Sequence, residues 1–278
     1  MIDWWWHIPE HLDPIAFSIG LFPIRFYALF FLFGWVAAYG SARARMKREA
    51  LPFPKDVLDD IFFWSLFGAI AGARLGYGIL YDQALLLHPS SLIIPYDAAG
   101  AWVGISGMSY FGGAIGVIVA MGALSRKRGW NLLAVTDFLV PIVPIAIFFG
   151  RLGNFFNLEL IGNVTTKPWG MLFPQDPSRT LRHPSTLYEA LFEGIFLFVL
   201  FRVLRKKTYS PGMLSSFYLV AYGVVRFLLE PFRAFEGFTM HGLERWITIG
   251  QLFALFSIVV GAGLFLSLRM RKNGILGR

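Results

Sequence analysis

Residues 132–157 read LLAVTDFLVPIVPIAIFFGRLGNFFN. A helix crosses a bilayer with roughly 20 mostly apolar residues, and this stretch is long and apolar enough to do so. Pro141 and Pro144 predict a bend within that span. Near its end lies Arg151, and a charge inside a membrane segment normally faces a functional cavity because its burial in hydrocarbon costs at least about 2.5–3.5 kcal/mol. The stretch therefore predicts a bent transmembrane helix that brings an arginine into the protein interior.

The composition extends this prediction to the whole chain. The 278 residues are 56% hydrophobic and only 15% charged, with a mean hydropathy of +0.59, which is typical of a polytopic membrane protein. The chain contains no cysteine, which excludes disulfides, thiolate metal sites and a cysteine nucleophile. A thiol that takes part in the chemistry must then belong to the substrate.

Hydropathy predicts an all-α fold in which residues 1–278 form a single membrane domain with seven transmembrane helices. The predicted spans are 16–42, 58–81, 107–125, 132–155, 186–204, 212–233 and 246–268. The connections 82–106 and 156–185 are long enough to form a small cap over one end of the spans. Trp4, Trp5 and Trp6 precede the first span and indicate an interfacial membrane anchor; a frayed apolar tail is the alternative.

The distribution of basic residues predicts the orientation. Most of the 25 basic residues fall in the connections that follow spans one, three, five and seven. Because such residues stay in the cytoplasm, we predict a periplasmic N-terminus and cap and a cytoplasmic C-terminus. The net charge of +8 then belongs to the cytoplasmic membrane surface and is no nucleic-acid footprint. The basic residues of these connections are Arg43, Arg45, Lys47, Arg48, Lys55, Arg126, Lys127, Arg128, Arg202, Arg205, Lys206, Lys207, Arg269, Arg271, Lys272 and Arg278.

On this topology, ionisable side chains of five different spans fall at one depth, toward the outer leaflet. They are Arg25, Arg74, Arg151, Arg226, Glu189, Glu193 and Glu230. A shared depth predicts a polar cavity, and several arginines predict an anionic ligand such as a phospholipid head group, because the guanidinium fork matches a phosphate. The alternative is a set of unrelated ion pairs between helices. Asp59, Asp60 and Asp137 fall at the cytoplasmic side, where we expect structural caps or pair partners.

Asparagines follow Arg151 at the predicted outer end of its helix. Asn154 and Asn157 are spaced i, i+3 and so face one side of a continuing helix, with Glu159 two residues further. Carboxamides donate and accept hydrogen bonds together, which suits glycerol hydroxyls or ester carbonyls. The alternative is an asparagine-rich helix C-terminus in which Arg151 pairs with a neighbouring glutamate.

Two further patterns flank spans five and six. His183 precedes span five and is a candidate proton acceptor, while Ser185 or Thr186 is a candidate helix cap. In span six a polar stripe follows one helical face, which predicts that this face points into the bundle. Its members are Tyr222, Arg226, Glu230 and Arg233. An ion pair of Glu230 with Arg226 that only orders the helix is the alternative, and both interpretations are compatible.

Together these segments resemble the bacterial prolipoprotein diacylglyceryl transferases over nearly the whole chain. The stretch GRLGNFFN at 150–157 carries the most specific part of the resemblance. The other matching segments are 17–20, 25–27, 72–77, 107–109, 112–116, 183–185, 222–226 and 250–251.

The resemblance implies an inner-membrane enzyme that moves a diacylglyceryl group from phosphatidylglycerol to the lipobox cysteine of a preprolipoprotein signal peptide. The products would be a thioether and glycerol 1-phosphate. Its partners would be these substrates and membrane lipids, with no nucleic acid, cofactor or metal, and its active site would face the periplasmic leaflet. The candidate catalytic residues are Arg151, Arg226, Asn154, Glu159, Tyr27, Tyr222 and His183. The candidate substrate-binding residues are Arg74, Asn157, Arg25, Glu230, Arg233 and Gly162.

The chain departs from the family pattern at three positions. The family usually carries histidine where Phe111 stands, and that histidine is commonly proposed as the base. It often has glycine at the position of Leu158 and arginine at that of Asn163. A non-catalytic phospholipid-binding relative is therefore one alternative function. A secondary transporter is another, but the predicted charges lie toward one face and no matched pair of broken helices is evident.

Overall fold

The computed structural model describes residues 3–20, 22–49, 57–80, 82–83, 86, 109–207, 209–234 and 247–273. Helices dominate this part of the chain. The α-helices are α1 (Asp3–Trp6), α2 (Phe26–Arg48), α3 (Val57–Leu80), α4 (Tyr110–Arg128), α5 (Leu132–Leu139), α6 (Val143–Phe156), α7 (Ser185–Glu189), α8 (Leu197–Leu204), α9 (Met213–Leu229) and α10 (Ile249–Lys272). Short 3₁₀-helices cover Ile8–His11 and Glu230–Phe232, and a π-helix covers Ala190–Phe196. Most of the predicted connection 82–106, and the first residues of the predicted span 107–125, lie outside the described residues.

The chain divides into two compact units, one formed by Arg45–Val135 and the other by Met1–Ala44 with Thr136–Arg278. In the unit Arg45–Val135, α3 and α4 pack antiparallel through glycines. A Cβ at Gly72 would overlap the carbonyl oxygen of Gly112, and a Cβ at Gly116 would overlap that of Gly68. Arg128 pairs with Asp60 at one end of the two helices. These helices match the predicted spans 58–81 and 107–125 to within a few residues.

In the other unit, the predicted span 16–42 is wrong at its start. Residues Ile15–Ile19 and Phe22–Arg25 form an antiparallel β-hairpin, and the helix begins only at Phe26. Gly20 adopts a positive φ of 60° in the turn, a conformation that favours glycine. Apolar and polar residues alternate around this turn, which suits a strand. Pro23 has no backbone N–H to donate to a helical hydrogen bond. The prediction of a purely α-helical fold therefore misses a small two-stranded sheet.

The predicted bend in span 132–155 is confirmed. Helices α5 and α6 meet at an angle of 52° across residues 140–142. Pro141 lies in the break and Pro144 in the first turn of α6, where its missing N–H costs no helical hydrogen bond. Asp137, at the end of α5, accepts hydrogen bonds from the backbone N–H groups of Gly212 and Ser215 at 2.8 and 2.7 Å. It therefore caps α9, in agreement with the structural role predicted for it.

The predicted span 186–204 is helical but not a regular α-helix. Between α7 and α8 the backbone widens into the π-helix Ala190–Phe196. At Gly194 this segment lies against α6, because a Cβ there would fall 2.7 Å from the Cβ of Phe148. Insertions of this kind are frequent at functional sites. Here the widened turn contains Glu193 and directly follows Glu189, and both carboxylates point to neighbouring helices.

Helix α9 packs closely on α10. A Cβ at Gly223 would lie 2.6 Å from the carbonyl oxygen of Ala254, and Ser257 donates a hydrogen bond to the carbonyl oxygen of Leu219 at 2.8 Å. Small residues at such contacts allow membrane helices to approach each other. By length and composition, Met213–Phe232 and Gly250–Arg271 are long and apolar enough to span a membrane, and the bent pair α5–α6 adds a third span if it counts as one. The fold of the described residues is thus mainly helical and suited to a membrane.

The predicted cap connection 156–185 is folded. Single β-bridges join Val164 and Met171 to Arg182, and Met171 and Phe173 are buried against Phe155 of α6. The N-terminus packs on this segment. The indole N–H groups of Trp5 and Trp6 donate to the carbonyl oxygens of Trp169 and Pro168 at 3.0 and 2.9 Å. These two tryptophans thus fasten the N-terminus to the folded connection, and Trp4 is exposed.

Candidate functional site

Three arginines and three glutamates form a buried charge cluster where α6, α7, the π-helix and α9 meet. Arg151 of α6 places Nη2 3.1 Å from Oε2 of Glu193 and Nε 3.1 Å from Oε2 of Glu189. Arg226 of α9 places Nη1 2.6 Å from Oε1 of Glu189 and 3.4 Å from Oε1 of Glu193. Arg233 approaches the same Glu189 oxygen at 3.2 Å. Glu189 and Glu193 are almost completely buried, so both carboxylates depend on these arginines.

Glu230 joins this cluster to the start of α10. Its carboxylate pairs with Nη2 of Arg226 one helical turn earlier, and its Oε1 accepts a hydrogen bond from Oγ1 of Thr248 at 3.0 Å. Thr248 and Gln251 form a capping box at the N-terminus of α10. Any Cβ at Gly250 would overlap the Glu230 carboxylate. The glycine therefore leaves the space that this carboxylate occupies.

A second carboxylate, Glu159, is exposed and held by amides. Asn154 donates through Nδ2 to Oε2 of Glu159 at 3.0 Å, and Asn157 donates to Oε1 at 2.7 Å. Asn157 is also the C-cap residue of α6, which agrees with the alternative interpretation of this motif as an asparagine-rich helix C-terminus. Its Oδ1 is buried and has no hydrogen-bond partner in the described part of the chain. The two asparagines therefore face the same side, as predicted, and both bind the carboxylate of Glu159.

Backbone strain accompanies this carboxylate. The residues on both sides of Glu159, Leu158 and Leu160, have positive φ values of 59° and 55°. A left-handed conformation costs roughly 1–2 kcal/mol for a residue with a Cβ. Glycine at the position of Leu158 would remove this cost. Strain of this size is maintained only where the surrounding contacts impose it, and it concentrates at functional sites.

Tyr27, near the start of α2, lies beside this motif. Its ring packs on Gly153, where a Cβ would fall 3.1 Å from Cδ2 of the tyrosine. The side chain is close enough to Glu159 and Arg151 to feel the charges of both. The start of α2 and the end of α6 thus bring the tyrosine near both Arg151 of the charge cluster and the exposed Glu159.

His183 lies in an aromatic cluster with Tyr188 and Phe232. Its Nδ1 is 3.1 Å from the hydroxyl of Tyr188, and its ring meets that of Phe232 edge to face with centroids 5.1 Å apart. Burial lowers the pKa of His183 below its ordinary value, and the nearby Lys167 acts in the same direction. The histidine is therefore neutral at pH 7. Gly162 lies against the same cluster, because a Cβ there would overlap the carbonyl oxygen of His183.

Asp176 and Arg182 hold the folded connection 157–184 together. Arg182 donates to both carboxylate oxygens of Asp176, at 2.5 Å through Nε and 3.0 Å through Nη2. These bonds, with further donors from Ser178, hold the pKa of the Asp176 carboxyl well below its ordinary value. Arg182 also donates to the carbonyl oxygen of Gly162 at 3.3 Å. The pair thus connects the loop around Asp176 to Gly162, which lies beside His183. Apart from their opposite charges, no residue pattern in the sequence indicates this pair.

The other predicted site residues lie elsewhere. Tyr222 stacks on Tyr218, with ring centroids 6.0 Å apart, and packs against an apolar cluster around Leu197 and Phe201. Arg25 ends the second strand of the hairpin, Phe22–Arg25, where it is exposed and forms no ion pair with any described residue, so its predicted location inside a span is wrong. Arg74 is half-buried in α3, in the unit Arg45–Val135. The side chain of Phe111 lies outside the described part of the structure.

The sequence analysis placed Glu189 and Glu193 at the depth of the predicted polar cavity without a role in catalysis or binding, and it did not single out Thr248. The two glutamates were visible as buried charges at the right depth, and their spacing of four residues on one helix was the available signal. The signal for Thr248 was the pattern Thr-x-x-Gln at 248–251, which is a capping box at a helix start. In the part of the chain that the structure describes, no group of three His, Asp or Glu side chains could hold a metal ion.

Comparisons with known proteins agree with the resemblance. A family model described as prolipoprotein diacylglyceryl transferase matches residues 14–267. A relative from Chlorobaculum tepidum, named phosphatidylglycerol–prolipoprotein diacylglyceryl transferase, is 39% identical over 98% of this chain and 96% of its own. Relatives of the same name from Azotobacter vinelandii and Legionella pneumophila (strain Lens) are 36% and 38% identical, over 91% and 92% of this chain and 93% and 96% of theirs.

Proposed function

The chain belongs to the prolipoprotein diacylglyceryl transferase family, and we propose that it transfers a diacylglyceryl group from phosphatidylglycerol to the lipobox cysteine of a preprolipoprotein. The cysteine sulfur forms a bond to the glyceryl carbon, and the bond from that carbon to the phosphate oxygen breaks. The electron pair of this bond stays on the phosphate, which leaves as glycerol 1-phosphate, and the thiol proton is released. The arginine–glutamate cluster is the observation on which we base the assignment of residues to this reaction.

The arginines of this cluster supply the chemistry that the reaction needs. Negative charge develops on the leaving phosphate, and fixed guanidinium groups in a site of low dielectric stabilise it without reorganisation. Glu189, Glu193 and Glu230 hold Arg151 and Arg226 in place before substrate arrives. We assign Arg151 and Arg226 to the phosphate, with Arg233 supporting them through Glu189. Arg25 and Arg74 stay candidates for the approach of the anionic head group.

The exposed Glu159 and the asparagines that hold it are assigned to the polar parts of the substrates. A carboxylate accepts hydrogen bonds from glycerol hydroxyls or peptide N–H groups. The buried Oδ1 of Asn157 lacks a donor, and such an atom costs about 1–3 kcal/mol, so a substrate or water donor is favoured there. Tyr27 extends this polar surface toward Arg151. We assign Gly162, His183 and Tyr222 to the packing that supports it.

The finer topology is part of the same proposal. Seven spans in the bacterial inner membrane, with the N-terminus and a cap from 82–106 and 156–185 in the periplasm, would bring the cluster toward the periplasmic leaflet. The basic residues near Lys127 and Lys207 support this orientation. The lipobox cysteine of an exported substrate is available on that side. Phosphatidylglycerol, the lipoprotein signal peptide and membrane lipids are then the partners, and no cofactor is needed for the displacement.

The test is a transfer assay with purified protein, phosphatidylglycerol and a lipobox peptide, in which the thioether product is detected by mass spectrometry. Arg151→Ala and Arg226→Ala should each lower the rate by about 10²–10³-fold, as the loss of a charge-stabilising donor does. Lysine should restore little activity because it lacks the bidentate fork. Arg202→Ala is the matched control, since Arg202 is exposed at the end of α8. Absence of thioether with the native chain would refute the transferase function.

Each single alanine variant also removes one positive charge from the buried cluster, so that its carboxylates outnumber its arginines. An uncompensated buried charge costs about 3–5 kcal/mol and risks unfolding. The double variant Arg151→Gln with Glu193→Gln separates the two effects, because it keeps the cluster neutral. We expect this protein to be folded and inactive. If it recovers native activity, Arg151 serves only to neutralise glutamates and the assignment to phosphate is wrong.

A further inference from the structure

A long apolar groove runs between α3 and α4, in the unit Arg45–Val135. Its floor consists of the glycines at which the two backbones touch, among them Gly68, Gly72 and Gly116. Because glycines have no side chains, the floor lies below the surface of both helices. The groove has a volume of about 590 Å³ and an almost wholly apolar lining.

The walls of the groove are large side chains that are exposed in the described part of the chain. Phe67 and Ile79 of α3 are 55% and 60% exposed, and Ile115 and Val119 of α4 are 61% and 63% exposed. From Trp64 to Ile79 the groove follows 15 residues of helix, about 22 Å at 1.5 Å per residue. This length is close to that of an extended phospholipid acyl chain. An apolar face of this size in a membrane protein is covered by lipid or by another helix.

Charge distinguishes between these occupants, because one end of the groove is basic. Lys127 and Arg128 line that end. Arg128 is already paired with Asp60 and lies 5.9 Å above the ring of Trp130. Lys127 is exposed and has no ion-pair partner among the described residues. A lysine at the end of an acyl-chain-sized groove suits an anionic lipid head group, since each basic residue near a membrane surface attracts such lipids by about 1 kcal/mol.

We propose that this groove is a binding site for an anionic phospholipid, with one acyl chain along the glycine floor and the head group at Lys127. The site differs from the charge cluster in every residue. Its lipid is retained and not consumed, and it covers the apolar groove face of α3 and α4. The inference does not depend on the transferase reaction.

Native mass spectrometry of the detergent-purified full chain tests the site, with phosphatidylserine as the anionic probe and phosphatidylcholine as the neutral one. Val119→Trp fills the groove, and Ile118→Trp is its control, because Ile118 is 66% exposed on the same helix and does not line the groove. We expect the Val119 variant to retain one phospholipid fewer per protein than the native chain. The Ile118 variant should retain the native number.

The head-group contact has its own pair of variants. Lys127→Gln should weaken phosphatidylserine binding about fivefold, toward the level of phosphatidylcholine, whereas Arg126→Gln outside the groove should not. Equal lipid retention in the two tryptophan variants would overturn the site. An unchanged lipid preference in the Lys127 variant would overturn the anionic assignment. A native dimer that Val119→Trp dissociates would show that a second copy of the chain covers the groove instead.

Discussion

Glu189 is the residue on which the charge cluster converges. Its carboxylate contacts arginines from α6, from α9 and from the segment after Glu230, and it is almost completely buried. A single carboxylate thereby fixes the relative positions of three guanidinium groups. The arrangement matters for a phosphate substrate, because donors that are already oriented stabilise developing charge without first having to move.

Leu158 offers a test of backbone strain at the site. Leu158→Ala and Leu158→Gly both remove its side chain, but only glycine adopts a φ of 59° without cost. We expect the glycine variant to be more stable by about 1 kcal/mol in thermal unfolding in detergent. Leu266, an exposed residue inside α10, is the control, where alanine should be the more stable of the two by a similar amount. The same order at both positions would contradict the strain.

Phe111 tests whether a histidine base is indispensable. We expect the native chain to form thioether and Phe111→His to change the rate by less than about tenfold. A substrate thiol has a pKa near 8.5 and is already a few percent ionised at neutral pH, so attack does not require a full proton transfer to the enzyme. Initial rates at pH 7 for the native chain, Phe111→His and Phe111→Leu measure this. Product from the histidine variant alone would identify the native chain as a lipid-binding relative.

Much of the charge cluster could be predicted from the sequence because burying a charge in a membrane is costly. Arg151, Arg226 and Glu230 were found from hydropathy and depth, and they do lie together. Arg25 was predicted inside a helix because the apolar run of span one continues through the β-hairpin. Hydropathy alone does not distinguish a helical from an extended backbone. The contacts of Glu159 with two asparagines depend on two positive φ values, which no pattern of residue types at these positions indicates.

At the scale of elements, glycine decides how α3 and α4 pack. Gly72→Ala would press a methyl group onto the backbone of Gly112 and to 2.7 Å from the Cα of Gly116, so we expect a loss of about 1–3 kcal/mol. Gly122→Ala on α4 meets nothing within 4 Å and should stabilise the helix by up to about 1 kcal/mol. Thermal unfolding of both variants in detergent gives the comparison. Equal stability of the two proteins would mean that the helices separate easily at this contact.

Periodicity predicted the positions of most helices and missed their irregularities. The bend between α5 and α6 could be predicted from proline, because proline lacks the backbone N–H that a helical hydrogen bond needs. The π-helix Ala190–Phe196 has no such residue signal. It arises from contacts with other elements, in which Gly194 lies against Phe148 while Glu193 reaches arginines of two helices. Tertiary contacts of this kind are not local in sequence and so escape a local pattern.

At the scale of the whole molecule, net charge and hydropathy act together. The chain is 56% hydrophobic with a net charge of +8, and many of its basic residues lie in the last turns of its apolar helices, as at the ends of α2 and α4. Three stretches of the described chain are long and apolar enough to cross a membrane, if the bent pair α5–α6 counts as one span. Helices α2 and α3 are 23 and 24 residues long, and these lengths also suffice to cross a bilayer.

The orientation of the chain is the last prediction, and the absence of cysteine makes it direct to test. Single cysteines at Lys127, Lys207 and Ser178 are all at exposed positions and would be the only thiols in the protein. In intact cells whose outer membrane is permeabilised, a membrane-impermeant maleimide should label only the cysteine at Ser178, because basic connections stay in the cytoplasm. Lysed cells should label all three, which controls for accessibility. Labelling at Lys127 or Lys207 in intact cells would reverse the orientation. The charge cluster would then open toward the cytoplasm, where an exported lipobox cysteine is not available to it.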